Sequence, residues 1–155
     1  MASTFYQRSS VINSIAGRTD VAAKKAARAS LVLEKLQAGD VELTGDLIAL
    51  NTMVVEDRGL SAEQKAALQA AIQSVARLRL KKEAKQLAAE AAADLADVET
   101  AYAGFLKDVA DTAAASPSNP ALIQHREVAA ILLSELASVK TESTAVRDAV
   151  ASHKV

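Results

Sequence analysis

The feature that most constrains this chain is an alanine-rich helical pattern that runs without a break from Ser61 to about Ala115. A single helix of this length extends roughly 80 Å, and its apolar stripe has to be buried against something. Alanine accounts for 35 of the 155 residues, whereas glycine and proline number only 5 and 2, so helix is favoured nearly everywhere. We therefore predict an all-α fold, an elongated antiparallel helical bundle with one very long central helix over about residues 61–115.

The long helix has a strong start signal and a regular apolar row. Ser61 and Gln64 have the spacing of a capping box, in which each side chain bonds a backbone amide near the other residue. In the first half of the helix, a row that starts at Leu68 meets Arg79 where the next core residue is expected, which leaves a kink or break over residues 78–82 open. In the second half, apolar residues advance by three and four positions, which predicts one buried stripe. This stripe comprises Leu80, Ala84, Leu87, Ala91, Leu95, Val98, Tyr102, Phe105 and Val109.

Turn and cap residues mark two further helices. Asn119 and Pro120 suit the cap and the first position of a long C-terminal helix, because proline has no amide to leave unpaired there. This helix is predicted over about residues 120–152, antiparallel to the second half of the long helix. Residues 39–59 are predicted to hold a short helix capped by Thr44, although the apolar run near its end also suits a strand.

The N-terminal region is predicted to divide at Gly17, because glycine commonly follows the last residue of a helix. Residues 1–18 are expected to form an arm with one short helix, and residues 19–155 a single helical-bundle domain. The arm carries Phe5 and Tyr6, bulky aromatic side chains that can anchor in a pocket on a neighbouring protein. Packing of both rings on the parent bundle is the alternative.

Charged residues alternate in blocks, although the net charge of the chain is only −1. Residues 64–85 carry a net charge of +5 and residues 86–116 one of −5. Acidic residues of the second block share one face of the long helix, where like charges repel one another. This face is either solvated or in contact with cations of the N-terminal region or of residues 77–85, in the same or a neighbouring subunit. The acidic face consists of Glu90, Asp94, Asp97, Asp108 and Asp111, and the N-terminal cations are Arg8, Arg18, Lys24, Lys25 and Arg28.

A basic cluster on the long helix allows a second interpretation of the charge pattern. A few cations on one helix can bind nucleic-acid phosphates weakly and in a salt-sensitive way, or contact an acidic protein face. No aromatic residues alternate with these cations to stack on bases, and no known nucleic-acid-binding motif is present. Sequence-specific binding is therefore not expected. The cluster comprises Arg77, Arg79, Lys81, Lys82 and Lys85.

The sequence indicates no catalytic, cofactor or metal site. The chain has no cysteine and two histidines, and neither histidine has the glutamate three positions earlier that helical di-metal sites require. His125 is in phase with the apolar residues of the C-terminal helix, so hydrogen-bonded core packing is favoured over catalysis. The apolar run at residues 128–133 is too short to span a bilayer, and the N-terminus lacks the apolar core of a secretory signal.

These patterns together predict a non-enzymatic structural or assembly subunit in the cytoplasm or in a particle, with no membrane, cofactor or small-molecule partner. Helix packing, of the coiled-coil kind, and charge-complementary contacts are expected to join copies of the chain or to bind other protein subunits. A virus-like or phage particle would suit a small, cysteine-free, alanine-rich chain of this kind. The alternative is a nucleic-acid-associated or adaptor module that acts through the basic cluster.

Overall fold

The structure, a computed structural model, describes residues 5–155, with side chains described from Gln7 onward. Within that range it consists of helices joined by loops, and no strand is present. The helices pack against one another, which confirms the predicted all-α helical bundle. The anchoring role of Phe5 and Tyr6 falls outside the described side chains and stays a prediction. The helices are α1 (Phe5–Gln37), α2 (Asp46–Glu56), α3 (Ala62–Ala115) and α4 (Ala121–Ser152).

Helices α1 and α4 lie side by side against the second half of α3, and both run antiparallel to it. Ile15 near the start of α1 and Leu122 near the start of α4 share a core cluster with Val109 near the end of α3. At the opposite end of this bundle, residues from the last turns of α1 and α4 share a cluster with Ala84. Every residue of the predicted stripe on α3 is buried or half-buried, which confirms that row.

Helix α1 continues through Gly17, so the predicted break and the separate short N-terminal helix are wrong. Gly17 is exposed on the surface of α1, where glycine costs up to ~1 kcal/mol of stability relative to alanine. Ile15 and Ala22 on either side of it are buried in the same core cluster, and burial of a helix face outweighs that cost. Because α1 is 33 residues long, about 50 Å, it lies along the whole length of α4.

Helix α3 continues through residues 78–82 and extends beyond the ends of both neighbours. Arg77 bonds carbonyl oxygens at the end of α1, and Lys81 bonds that of His153 just after α4. Residues 62–76 of α3 therefore lie beyond the three-helix bundle. There α3 packs against α2 and the loop before it, in a cluster of Val41, Leu47, Val54, Ile72 and Ala76.

The predicted caps of α3 and α2 have different outcomes. Gln64 N donates to Ser61 Oγ at 3.1 Å and Ser61 N donates to Gln64 Oε1 at 2.9 Å, which confirms the capping box. Helix α2 is preceded by Gly45, and no side chain caps it, so the predicted cap at Thr44 is wrong. Gly45 has a φ of 55°, a left-handed conformation that glycine adopts without steric cost. The turn at this glycine takes the place of a side-chain cap.

Candidate protein-interaction surface

Three of the five residues in the predicted basic cluster make contacts within the chain. Arg77 donates from Nη1 to the carbonyl oxygen of Leu36 at 2.9 Å and from Nη2 to that of Ala38 at 3.3 Å. These bonds satisfy carbonyl groups at the end of α1 that have no partner inside the helix. Lys81 donates to the carbonyl oxygen of His153, so both cations join α3 to the end of a neighbouring helix.

The third contact fixes the start of α2. Nη1 and Nη2 of Arg79 each bond one carboxylate oxygen of Asp46, at 2.7 and 3.0 Å. The hydrogen bond from Arg79 lowers the pKa of Asp46 below its ordinary value. Both side chains are more than half exposed, so solvent screens the pair, and we expect it to orient α2 more than to stabilise the fold.

Lys82 and Lys85 are the two members of the basic cluster that stay exposed. Neither makes a hydrogen bond or an ion pair with any residue that the structure describes. The cations that a nucleic acid or an acidic protein would meet on this part of α3 are therefore two and not five.

Part of the predicted acidic face contacts α1 of the same chain. Lys25 Nζ lies 2.8 Å from a carboxylate oxygen of Asp94 and 3.8 Å from one of Glu90, and its hydrogen bond to Asp94 raises the pKa of Lys25. Arg18 Nη2 lies 3.7 Å from Asp97 Oδ2. Three of the acids thus meet α1 cations intramolecularly. In the described part of the chain, no ion pair is made by the other two acids, Asp108 and Asp111.

Arg8 is one of the N-terminal cations that the charge pattern offers as candidate partners of the acidic face, but the structure buries it in the bundle at 2 % exposure. Its Nε donates to Nδ1 of His125 at 2.9 Å, and its Nη1 donates to Thr112 Oγ1 at 2.8 Å. His125 is itself 3 % exposed and meets the ring of Phe105 edge-on, with ring centroids 6.3 Å apart. The predicted hydrogen-bonded core packing of His125 is confirmed, whereas nothing in the sequence near Arg8 identified it as the partner.

Burial and the neighbouring charge favour the neutral form of His125. Removal of the ring from water lowers the pKa of His125, and the positive charge of Arg8 lowers that pKa further. Because Nδ1 accepts the bond from Arg8, the neutral imidazole carries its proton on Nε2. Protonation of Nδ1 would break that bond and place two positive charges side by side in the core.

A cluster of exposed apolar side chains lies where α3 extends beyond the bundle. On α3, Leu68, Val75 and Leu78 are 42, 39 and 58 % exposed. On α2, Leu50 and Met53 are 46 and 68 % exposed. A groove of about 160 Å³ runs between the two helices, and all of its lining residues are apolar. We call these five side chains the α2–α3 apolar surface; three of them, Leu50, Leu68 and Val75, line the groove, and exposed apolar surface is typical of protein-binding sites.

No pattern in the sequence shows that the α2–α3 apolar surface is exposed. Leu68 begins a row that has the spacing of a core row, yet the buried residues of this part of α3 are Ile72 and Ala76. Periodicity alone does not distinguish a row covered within the chain from one left open. A signal was available in the lengths, because an α2 of 11 residues, about 16 Å, covers only one side of α3.

The structure is an all-α helical bundle with exposed apolar side chains at one end. Comparison with models of known protein families, with curated proteins and with solved structures gives no match to the chain. Among the described residues, no three or more histidine, cysteine and acidic side chains are grouped as a metal ion would require. None of the described helices combines the length and the apolar character needed to cross a bilayer.

Proposed function

We propose that this protein is a non-enzymatic structural subunit that binds other protein subunits through the α2–α3 apolar surface. The observation that carries the proposal is the exposure of Leu68, Val75 and Leu78 on one stretch of α3. About half of each of these side chains is still exposed, so burial by a partner would contribute about 0.7–1.5 kcal/mol for each of them, half the value for a fully exposed side chain. An assembly contact at this surface uses that gain, whereas a solitary chain leaves it unused.

Polar contacts around the surface support the proposal because they hold α2 in place before any partner binds. Gln73 bonds both backbone groups of Val41, accepting from the amide at 2.9 Å and donating to the carbonyl at 3.0 Å. Lys65 Nζ donates to the carbonyl oxygen of Val55 near the end of α2 at 2.8 Å. A surface that is already ordered loses less entropy on binding, which favours affinity.

Charged groups that have no ion-pair partner among the described residues extend the proposal to charge-complementary contacts. Lys82 and Lys85 lie next to the apolar surface, and Asp108 and Asp111 lie near the opposite end of α3. Subunits that meet end to end would bring charges of opposite sign together, which improves specificity and association rate more than affinity. A virus-like or phage particle is the narrower form of this proposal, since it joins many copies of one chain.

The test compares two leucine or isoleucine positions of equal exposure. Leu78 on α3 and Ile131 on α4 are both 58 % exposed, and each is replaced by aspartate. Sedimentation and native mass spectrometry then report association, and circular dichroism reports the fold. We expect Leu78→Asp to raise the dissociation constant of the complex between subunits at least ~100-fold. Ile131→Asp should leave that dissociation constant unchanged. Equal association of Leu78→Asp and the unmodified protein would contradict the proposal.

The second candidate function is weak nucleic-acid binding through Lys82 and Lys85, favoured by their exposure and by the absence of a bonding partner for either in the described part of the chain. Two phosphate contacts would give a slope of roughly −1.8 for log affinity against log salt on duplex DNA. The double variant Lys82→Gln, Lys85→Gln should abolish retention on DNA at low salt, and Arg126→Gln, an exposed cation on α4, should not. Retention of the double variant equal to that of the unmodified protein would contradict this candidate.

A further inference from the structure

Six residues form one row along the first part of α3, and all of them are exposed. They advance by four, three, four, three and four positions, which is the spacing of the core positions of a coiled coil. The row stays outside the core of its own chain, because Ala84 and Ala88, which pack in the bundle, project from the other side of α3. We call it the α3 seam: Gln64, Leu68, Ala71, Val75, Leu78 and Lys82.

The spacing of the α3 seam residues is the same in both directions along the helix. When a second α3 runs antiparallel to the first, with a two-fold axis level with Gln73, each seam residue lies opposite another seam residue. Leu68 then lies opposite Leu78 of the second copy, and Ala71 lies opposite Val75 of the second copy. A large side chain faces a large one in the first of these layers, and a small one faces a medium one in the second, so both layers are apolar on each side of the contact, as at the core positions of a coiled coil. A two-fold contact needs such self-complementarity.

We propose that two copies of this chain bind each other through the α3 seam, antiparallel and with two-fold symmetry. The inference rests on the proposed function, and it names the partner at the α2–α3 apolar surface as a second copy. Helix α2 adds to the contact because Leu50 lines the groove beside Leu68 and Val75. In the antiparallel pair both copies of α2 lie on the same side of the seam, so the contact consists of four helices.

Charges at the ends of the seam favour the antiparallel orientation. Lys82 of one copy lies level with the first turn of α3 of the second copy, where Glu63 is exposed. Neither side chain has an ion-pair partner among the described residues of its own chain. A parallel pair would instead place Lys82 beside Lys82 of the second copy, and like charges at a packed position destabilise the contact.

The fold leaves room for this arrangement. Helices α1 and α4 both end level with residues 77–81 of α3, as the bonds from Arg77 and Lys81 show. The two bundles of an antiparallel pair therefore extend in opposite directions from the seam. The second copy meets α3 on the side that α1 and α4 leave open, so neither helix has to move.

Cysteine cross-linking tests the orientation and register, because the natural chain has no cysteine. The test variants are Leu68→Cys and Leu78→Cys. The control is Ile131→Cys, because Ile131 lies on α4 and is as exposed as Leu78. The reagent is a bis-maleimide shorter than the ~15 Å that ten residues of helix span. Across the proposed seam, position 68 of one copy adjoins position 78 of the other, whereas identical positions are ~15 Å apart.

We expect covalent dimers when Leu68→Cys and Leu78→Cys are mixed, and none above the level of Ile131→Cys when either variant is treated alone. Dimers of Leu68→Cys alone or of Leu78→Cys alone would overturn the antiparallel register, while the proposed assembly function would stand. Sedimentation of the unmodified protein as a monomer at all concentrations would also overturn the inference. A different result would contradict the proposed function: Leu78→Asp would then bind other subunits as tightly as the unmodified protein does.

Discussion

The two halves of α3 have similar apolar spacing and different surroundings. From Leu80 to Val109 the apolar row is covered by α1 and α4. From Leu68 to Leu78 the row is open to solvent, and α2 covers only the neighbouring face of the helix. A helical period therefore predicts where an apolar stripe lies on a helix. The lengths and directions of the other helices decide whether the chain itself buries that stripe.

The largest expected effect separates a core residue from a seam residue. Phe105 is 1 % exposed in the bundle core, so Phe105→Ala should lower the free energy of unfolding by about 3–5 kcal/mol through the cavity that it leaves. Leu78→Ala should change it by less than about 0.5 kcal/mol at concentrations where the protein is a monomer. Urea unfolding followed by circular dichroism measures both. A similar loss for the two variants would remove the distinction between the halves of α3.

A charge exchange across the seam tests the open half directly. Leu68→Lys and Leu78→Glu should each weaken self-association at least ~100-fold, because each homodimer buries two charges against leucine. When the two variants are mixed, lysine faces glutamate in one layer and leucine faces leucine in the other, so heterodimers should form.

Native mass spectrometry resolves the heterodimer by its mass. The control mixture combines Leu68→Glu with Leu78→Glu, which places like charges opposite each other and should stay monomeric. Equal association of the two mixtures would show that these positions do not face each other.

The covered half of α3 should give the fold a pH dependence near the ordinary pKa of histidine, because His125 is buried there. The unfolded chain protonates His125 near the ordinary pKa of 6.5, whereas the pKa of the folded state is lower. As the pH falls below 6.5, the unfolded state binds more protons, so the free energy of unfolding decreases, by at most ~1.4 kcal/mol per pH unit. The decrease ends when the pH reaches the lowered pKa.

Thermal or urea unfolding between about pH 7.5 and about pH 5, roughly the interval around the histidine pKa, measures this dependence. His125→Gln should reduce it, because glutamine offers Arg8 an acceptor that does not titrate in this range. His153→Gln, at the C-terminal end of the chain, should retain it. A pH dependence that persists unchanged in His125→Gln would assign it to other groups.

The smallest expected effect concerns the glycine inside α1. A Cβ atom at Gly17 would meet nothing within 4 Å, and the position is exposed within a continuous helix. Gly17→Ala should therefore raise the free energy of unfolding by roughly 0.5–1 kcal/mol. Gly45→Ala is the matched contrast, because the φ of 55° at that position disfavours alanine and should make the variant less stable. Destabilisation by Gly17→Ala would indicate that α1 needs a break there.

Local signals account for what could be predicted about the fold. The capping box at Ser61 places the start of α3, and Asn119, whose Oδ1 accepts from Ala121 N at 3.0 Å, lies at the start of α4. Each of these interactions depends on helix periodicity or on residues a few positions apart, and both can be read along the chain.

Contacts between distant segments account for what could not be predicted. Arg8 reaches His125 across 117 positions of sequence, and no local pattern relates the two. Burial on both sides of Gly17 keeps α1 continuous where glycine by itself favours an end. In the sequence, Arg77, Arg79 and Lys81 belong to a basic cluster that suits an external partner. In the fold, Arg77 and Lys81 bond carbonyl groups at helix ends and Arg79 bonds Asp46 of α2.

The sequence by itself determined that this protein is helical, where its longest helix begins, and which residues share each face of that helix, because backbone hydrogen bonding and the 3.6-residue period act over short distances. Only the tertiary structure decided which faces are covered. In space, both α1 and α4 end level with residues 77–81 of α3 and do not reach its first part. Apolar residues with the spacing of a core therefore remain at the surface there. Burial is a property of neighbours brought together by the whole fold, and a single helix does not specify its neighbours.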